Sequence, residues 1–136
     1  MPAFPLHATL IATMLPLLLA ACGTSPAGTG DARRVTDGED FTIGAGESVM
    51  LGDSSRLRYV RVVADSRCPP GAQCVWAGDA ELELEWSREG GAPEVFSVHT
   101  QLDERSHVIG ERRVSLQSLA TGDAPEATLH VEIAGQ

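Results

Sequence analysis

The side chains best placed to do chemistry are two cysteines, Cys68 and Cys74, with Pro69-Pro70-Gly71-Ala72-Gln73 between them. The prolines fix two successive φ angles and Gly71 is free to take a positive one, so the segment reads as a tight turn that returns the chain on itself. Such a turn brings the two thiols within bonding distance. A disulfide closing so small a ring would stabilise the fold by about 2–2.5 kcal/mol in the chain-entropy account. Metal binding and free thiols are the competing uses of the pair. A C-x5-C spacing lacks the second cysteine or histidine pair that zinc needs, and it is not the C-x-x-C of a thioredoxin-type redox centre. Arg67 lies beside Asp65 and ahead of Asp79, so it is expected to pair with one of them, as a structural ion pair or as a clamp for a ligand. His99 and His107 bracket Asp103 and Glu104 in one polar stretch, and together these could wrap a divalent cation. The plainer reading is two surface histidines. Glu81, Glu83 and Glu85 form a row of like charge that reads as a solvated face, one that discourages edge-to-edge association. Gly44-Ala45-Gly46 has no helix after it and is no phosphate cradle. The chain has no G-x-S-x-G elbow, no H-E-x-x-H and no Walker loop.

A third cysteine, Cys22, follows Leu19-Ala20-Ala21 at the end of an uncharged stretch that runs from Ala8 to Ala21. That stretch is short for a membrane span of about 20 residues and contains Pro16, so it suits a secretory leader better. Leu-Ala-Ala-Cys resembles a bacterial lipobox. The resemblance implies cleavage before Cys22, a diacylglyceryl thioether on its sulfur and acylation of the freed amine. Two or more acyl chains hold a protein stably at a bilayer where one holds it marginally. No Lys or Arg precedes Cys22, so the basic flank usual in such leaders is missing. Taking Cys22 out of an odd count leaves Cys68 and Cys74 as an even pair in an oxidising compartment, which favours the disulfide.

The stretch Asp65-Ser66-Arg67-Cys68-Pro69, with Cys74, Trp76 and Gly78 after it, resembles a family of small bacterial secreted proteins and lipoproteins that carry a DSRCP…CxWxG motif. The likeness is loose over about residues 41–133 and specific only over 65–80. It implies compartment and architecture and brings no activity. Trp76 is expected to cover the disulfide, and Gly78 to permit the turn into the next strand.

The elements that must position these residues read as strands. Ala80 to Trp86 alternates, with Ala80, Leu82, Leu84 and Trp86 on one face and the glutamates on the other. Leu57 to Ala64 carries valines on both faces and reads as a central strand. Phe41–Ile43, Ser48–Leu51, Val95–Thr100, Val108–Ile109, Arg113–Leu119 and Thr128–Ile133 complete the set, with Gly, Pro and Asp at the turns. His130 alternates outward on the last of them. This pattern predicts an all-β fold, a small antiparallel β-sandwich or barrel of about seven strands with one disulfide. The expected division is a signal peptide over 1–21, a lipidated flexible tether over 22–40 and a β domain over 41–136. The tether would reach roughly 20–25 Å from the bilayer.

The chain has 136 residues, a formal charge of −9 and ten basic side chains, all of them arginine. An acidic domain without a basic stripe argues against nucleic acid and against a polybasic grip on anionic lipid. The function expected is that of a non-enzymatic lipoprotein of the cell envelope, held to the membrane by its N-terminal lipid. Its β domain would bind a protein or a small ligand, with Asp65, Arg67, Trp76 and Asp79 as the candidate contact loop. No cofactor is expected. Gly23 after Cys22 resembles outer-membrane sorting, so in a Gram-negative host the domain would face the periplasm. The alternatives are a metal-binding envelope protein using His99 and His107, and a small periplasmic hydrolase.

Overall fold

The structure is a computed structural model that describes residues 32–135. The expected signal peptide and Cys22, the expected site of acylation, lie outside these residues. Nine strands follow one another: β1 (Arg33–Arg34), β2 (Asp40–Ile43), β3 (Ser48–Met50), β4 (Arg56–Asp65), β5 (Ala80–Ser87), β6 (Glu94–His99), β7 (Ser106–Ile109), β8 (Arg112–Leu119) and β9 (Ala127–Ile133). They form a five-stranded sheet in the order β1-β3-β4-β5-β6 and a four-stranded sheet in the order β2-β9-β8-β7. The all-β expectation holds, with nine strands rather than about seven.

Alternation decides which side chains are buried. In β5 every second residue from Ala80 to Trp86 is buried, and the glutamates between them are half-exposed. The same period buries Leu57 and Tyr59 on β4, Phe96 and Val98 on β6, Val114 and Leu116 on β8, and Leu129 and Val131 on β9. These residues belong to one cluster filled from both sheets, the interior of a sandwich. Tyr59 is fully buried, and its hydroxyl donates to the Pro125 carbonyl across the core at 3.0 Å. Burial pushes its phenol above the ordinary range. Along one side the sheets approach closely: His107 of β7 stacks on Phe96 of β6 with ring centroids 4.4 Å apart.

Two expectations are corrected. The tether does not extend to residue 40, because Arg33–Arg34 pairs with Val49–Met50 of β3 and Val35 is buried in the core. Arg33 also donates from Nη2 to the Thr42 carbonyl at 2.6 Å, which ties β1 to the other sheet. Nor is the fold wholly antiparallel. β1 and β3 run parallel, and the connection between them passes through β2 in the opposite sheet, so no crossover helix is needed.

β4 is the longest strand, and its outer half reaches past the core. Register irregularities fall between Tyr59 and Arg61 and between Val62 and Ala64, after which Val63, Ala64 and Asp65 are exposed. β3 covers β4 only as far as Arg58, and the Gly44–Glu47 turn closes over Tyr59. The β4–β5 hairpin therefore carries its loop, residues 66–79, out at the end of the sandwich.

Candidate functional site

The loop between β4 and β5 holds the candidate residues, and a disulfide joins Cys68 to Cys74 with their Cα atoms 5.9 Å apart. Gly71 has φ +81°, the left-handed turn expected of Pro-Pro-Gly. Below the ring the two arms form a narrow stem. Ser66 N–H donates to the Asp79 carbonyl at 2.8 Å, and Cys68 N–H donates to the Ala77 carbonyl at 3.2 Å. Gly78 is indispensable to it: φ is +71°, and a Cβ there would collide with the Ser66 carbonyl.

Two polar hubs lock the stem to the sandwich. Arg67 forms a fork with Asp65, Nε to Oδ1 at 2.9 Å and Nη2 to Oδ2 at 2.6 Å. Its remaining protons reach the carbonyls of Leu119 and Ala120, at 2.6 and 2.8 Å, just past the end of β8. One guanidinium thus bridges the two sheets. The Arg67 fork holds the Asp65 carboxyl below its ordinary range, and Asp65 raises Arg67 in return. The second hub is Asp79. Its Oδ1 accepts from Thr100 Oγ1 at 3.0 Å and from Gln101 N–H at 2.8 Å, while Oδ2 lies 2.7 Å from His99 Nδ1. Burial opposes its charge, but hydrogen bonds from His99, Gln101 and Thr100 outweigh that and leave its pKa lowered. Arg67 therefore takes Asp65 as its partner, and Asp79 serves the loop after β6. Arg67 thus forms a structural ion pair with Asp65 and also lines the cavity beside the loop.

Trp76 departs from expectation. It is 82 % exposed and its neighbour Val75 is 91 % exposed, so the indole lies outside the core and in solvent. The seven-residue ring has no interior large enough for an indole, and the Cys68–Ala77 pairing closes the stem just below it. Two apolar side chains thus project from a loop whose base is fixed by a disulfide, an obligatory glycine and two charged hubs. From Cys68 to Gly78 the loop has no charged side chain. A shallow cavity of about 280 Å³ flanks it, with Arg67, Pro69 and Pro70 on one wall and Thr121 and Gly122 on the other.

The histidines are not brought together. His99 faces Asp79, with Glu104 3.7 Å from its other nitrogen. His107 stacks on Phe96 and lies 2.8 Å from Glu94. Among the described residues no group of three His, Cys, Asp or Glu side chains has the spacing to hold a metal ion. His130 faces Asp40 at 2.7 Å. The glutamate row is half-exposed, and two of its three members also have partners: Arg61 of β4 forks onto Glu83 at 3.1 Å, and Ser97 of β6 donates to Glu81 at 2.7 Å.

Sequence reasoning did not find a second polar network, at the opposite end of the sandwich. Arg112 contacts Asp37 at 2.8 Å and Asp53 at 2.9 Å. Asp53 accepts from the Ser55 hydroxyl, which in turn accepts from Trp86 Nε1 at 2.8 Å. Burial works against the Asp53 charge, yet its bonds from Ser55 and the nearby Arg112 hold its pKa lowered. The only local signal was the short Asp53-Ser54-Ser55 turn. Comparison with known proteins adds no relative by which to judge either end: the chain matches no family model, no curated protein and no solved structure.

Proposed function

We propose that this chain is a non-enzymatic lipoprotein of the cell envelope, anchored through acyl chains on Cys22, whose β domain works by docking with the Cys68–Cys74 loop as its contact element. One observation carries the reading: Trp76 and Val75 stand in solvent on a loop that is otherwise fully braced. A tryptophan is a large apolar side chain with few torsions to freeze, which makes it a frequent anchor of binding surfaces. The disulfide and the two hubs hold it in one arrangement before contact, so little ordering remains to oppose binding.

The polar side chains support a docking role over catalysis. Ser55 bonds Asp53, Ser97 bonds Glu81, and Ser66 bonds the Asp79 backbone, so these hydroxyls serve structural partners rather than a histidine base. The oxidised cysteine pair fits an exported protein. The test is site-specific photocrosslinking from position 77 in intact cells, with and without Trp76→Ala. The docking reading expects a defined adduct, with protein or with lipid, that the Trp76→Ala change abolishes. Equal yields from both proteins, or no adduct at all, would refute it. Radiolabelled palmitate that fails to co-migrate with the product would refute the lipid anchor separately.

A further inference from the structure

The direction in which the chain enters the sandwich says what the loop meets. β1 runs parallel to β3, with Arg33 beside Val49 and Arg34 beside Met50. β3 is antiparallel to β4, so Val49 lies beside Leu57 and Met50 beside Arg56. Going backward along β1, from Arg34 to Arg33, therefore means going forward along β4, from Arg56 towards Asp65 and the cysteine loop. β1 thus enters the sandwich from the end that carries Trp76.

Eight positions of β4 separate Leu57 from Asp65, about 26 Å at roughly 3.3 Å per residue. From Cys22 to Asp31 there are ten residues, which span at most about 33–36 Å when extended. Trp76 lies beyond the Cys68–Ala77 pair, three or more positions past Asp65, so an anchor at Cys22 meets the level of the tip only with this segment close to its full length.

Charge separates the projecting tip from the turns around it. Both ends of the sandwich carry charged turns, with Asp53, Arg88 and Glu89 at the far end and Asp103, Glu104 and Asp123 beside the cysteine loop, and such groups would have to be desolvated against a bilayer. Cys68–Gly78 is the uncharged projection, although the chain as a whole carries −9. At its tip is an indole, an amphipathic ring enriched at the boundary between headgroups and hydrocarbon.

From the strand direction, the reach and the uncharged tip, we infer that the Cys68–Cys74 loop is a second membrane contact. Val75 and Trp76 insert at the headgroup boundary of the same bilayer that holds the Cys22 acyl chains. The inference rests on the lipid-anchor reading given above and names the surface on which that loop docks. It makes the attachment two-point: the acyl chains hold the domain near the bilayer, and the loop sets which end faces it. Confinement by the anchor raises the local concentration of the loop at the surface, so the tip need not bind membranes strongly by itself.

The test uses the full lipidated chain, purified in detergent and reconstituted into phosphatidylethanolamine/phosphatidylglycerol vesicles with or without brominated acyl chains. Trp76→Phe isolates the Trp76 emission from that of buried Trp86, and because position 76 is exposed the variant keeps its fold. The expected result is a blue-shifted Trp76 component, quenched by the brominated lipid and missing from the variant. Unquenched Trp76 emission in protein that carries its lipid overturns the membrane contact but leaves the anchor standing; the tip is then free for a protein partner. Protein that carries no lipid when its mass is measured removes the anchor and the membrane contact together.

Discussion

The molecule has two tryptophans, and the ends of the sandwich treat them in opposite ways. Trp86 lies in the core with its N–H on Ser55, and behind Ser55 come Asp53, Arg112 and Asp37. At the other end Arg67, Asp65 and Asp79 build a network of the same kind, an arginine fork on a carboxylate and carboxyl oxygens capping a loop. That network stops at the stem, and Trp76 stands beyond it. Both ends are ordered by similar means, so the exposure of Trp76 is not the result of a poorly held loop. The comparison shows that bracing and burial are separate properties. One end uses a braced network to cover an indole, the other to present one.

The comparison breaks most visibly at the buried ring. Trp86→Ala should destabilise the fold by about 3–5 kcal/mol, the cost of a large core aromatic, read as a lower denaturation midpoint. Replacing both Cys68 and Cys74 by serine should cost about 2–2.5 kcal/mol. Amide exchange should then speed up most over residues 66–79, by local opening, and around Trp86 by no more than the loss of global stability.

Acid gives a smaller effect and separates the ends. Asp65, Asp79 and Asp53 all have folded pKa values below the ordinary 3.8. Each binds fewer protons folded than unfolded near that value. Their stabilisation is therefore complete above about pH 4 and fades as the pH falls through the lower folded values. Asp79→Asn should remove its own part of the loop-end share of this acid sensitivity, measured as unfolding between pH 4 and pH 2, while the Asp65 and Asp53 shares persist. Trp76→Ala should change stability least, by no more than about 0.5 kcal/mol, because the side chain packs against almost nothing. A loss as large as that of Trp86→Ala would mean that the indole is in fact part of the core.

Local pattern made most of the sheet legible. β5 could be read residue by residue, because an eight-residue strand with one buried face shows the full two-residue period. β1 could not, since two arginines display no period and the one apolar cue, Val35, comes after them. For that reason the local pattern makes the tether look longer than it is. At the site, the disulfide and the need for Gly78 were visible in a short stretch of chain. The partners of Arg67 were not: Leu119 and Ala120 lie 52 and 53 positions away and take part through backbone carbonyls, which no side-chain pattern reports. Arg112 and Asp37, 75 positions apart, are a similar case. Trp76 is only two residues past Cys74 and so within reach of the disulfide, yet it is exposed, and the paired stem that keeps it there is not visible in the local sequence.

The parallel pairing of β1 with β3 has a mechanical meaning as well. A pull on the chain ahead of Arg33 acts along the axis of β1, so the β1–β3 hydrogen bonds share the load sideways instead of peeling apart one at a time. The Arg33 side chain, fastened to Thr42, passes part of that strain to the second sheet. A domain towed by its N-terminus is thus held by a lap joint rather than a zipper.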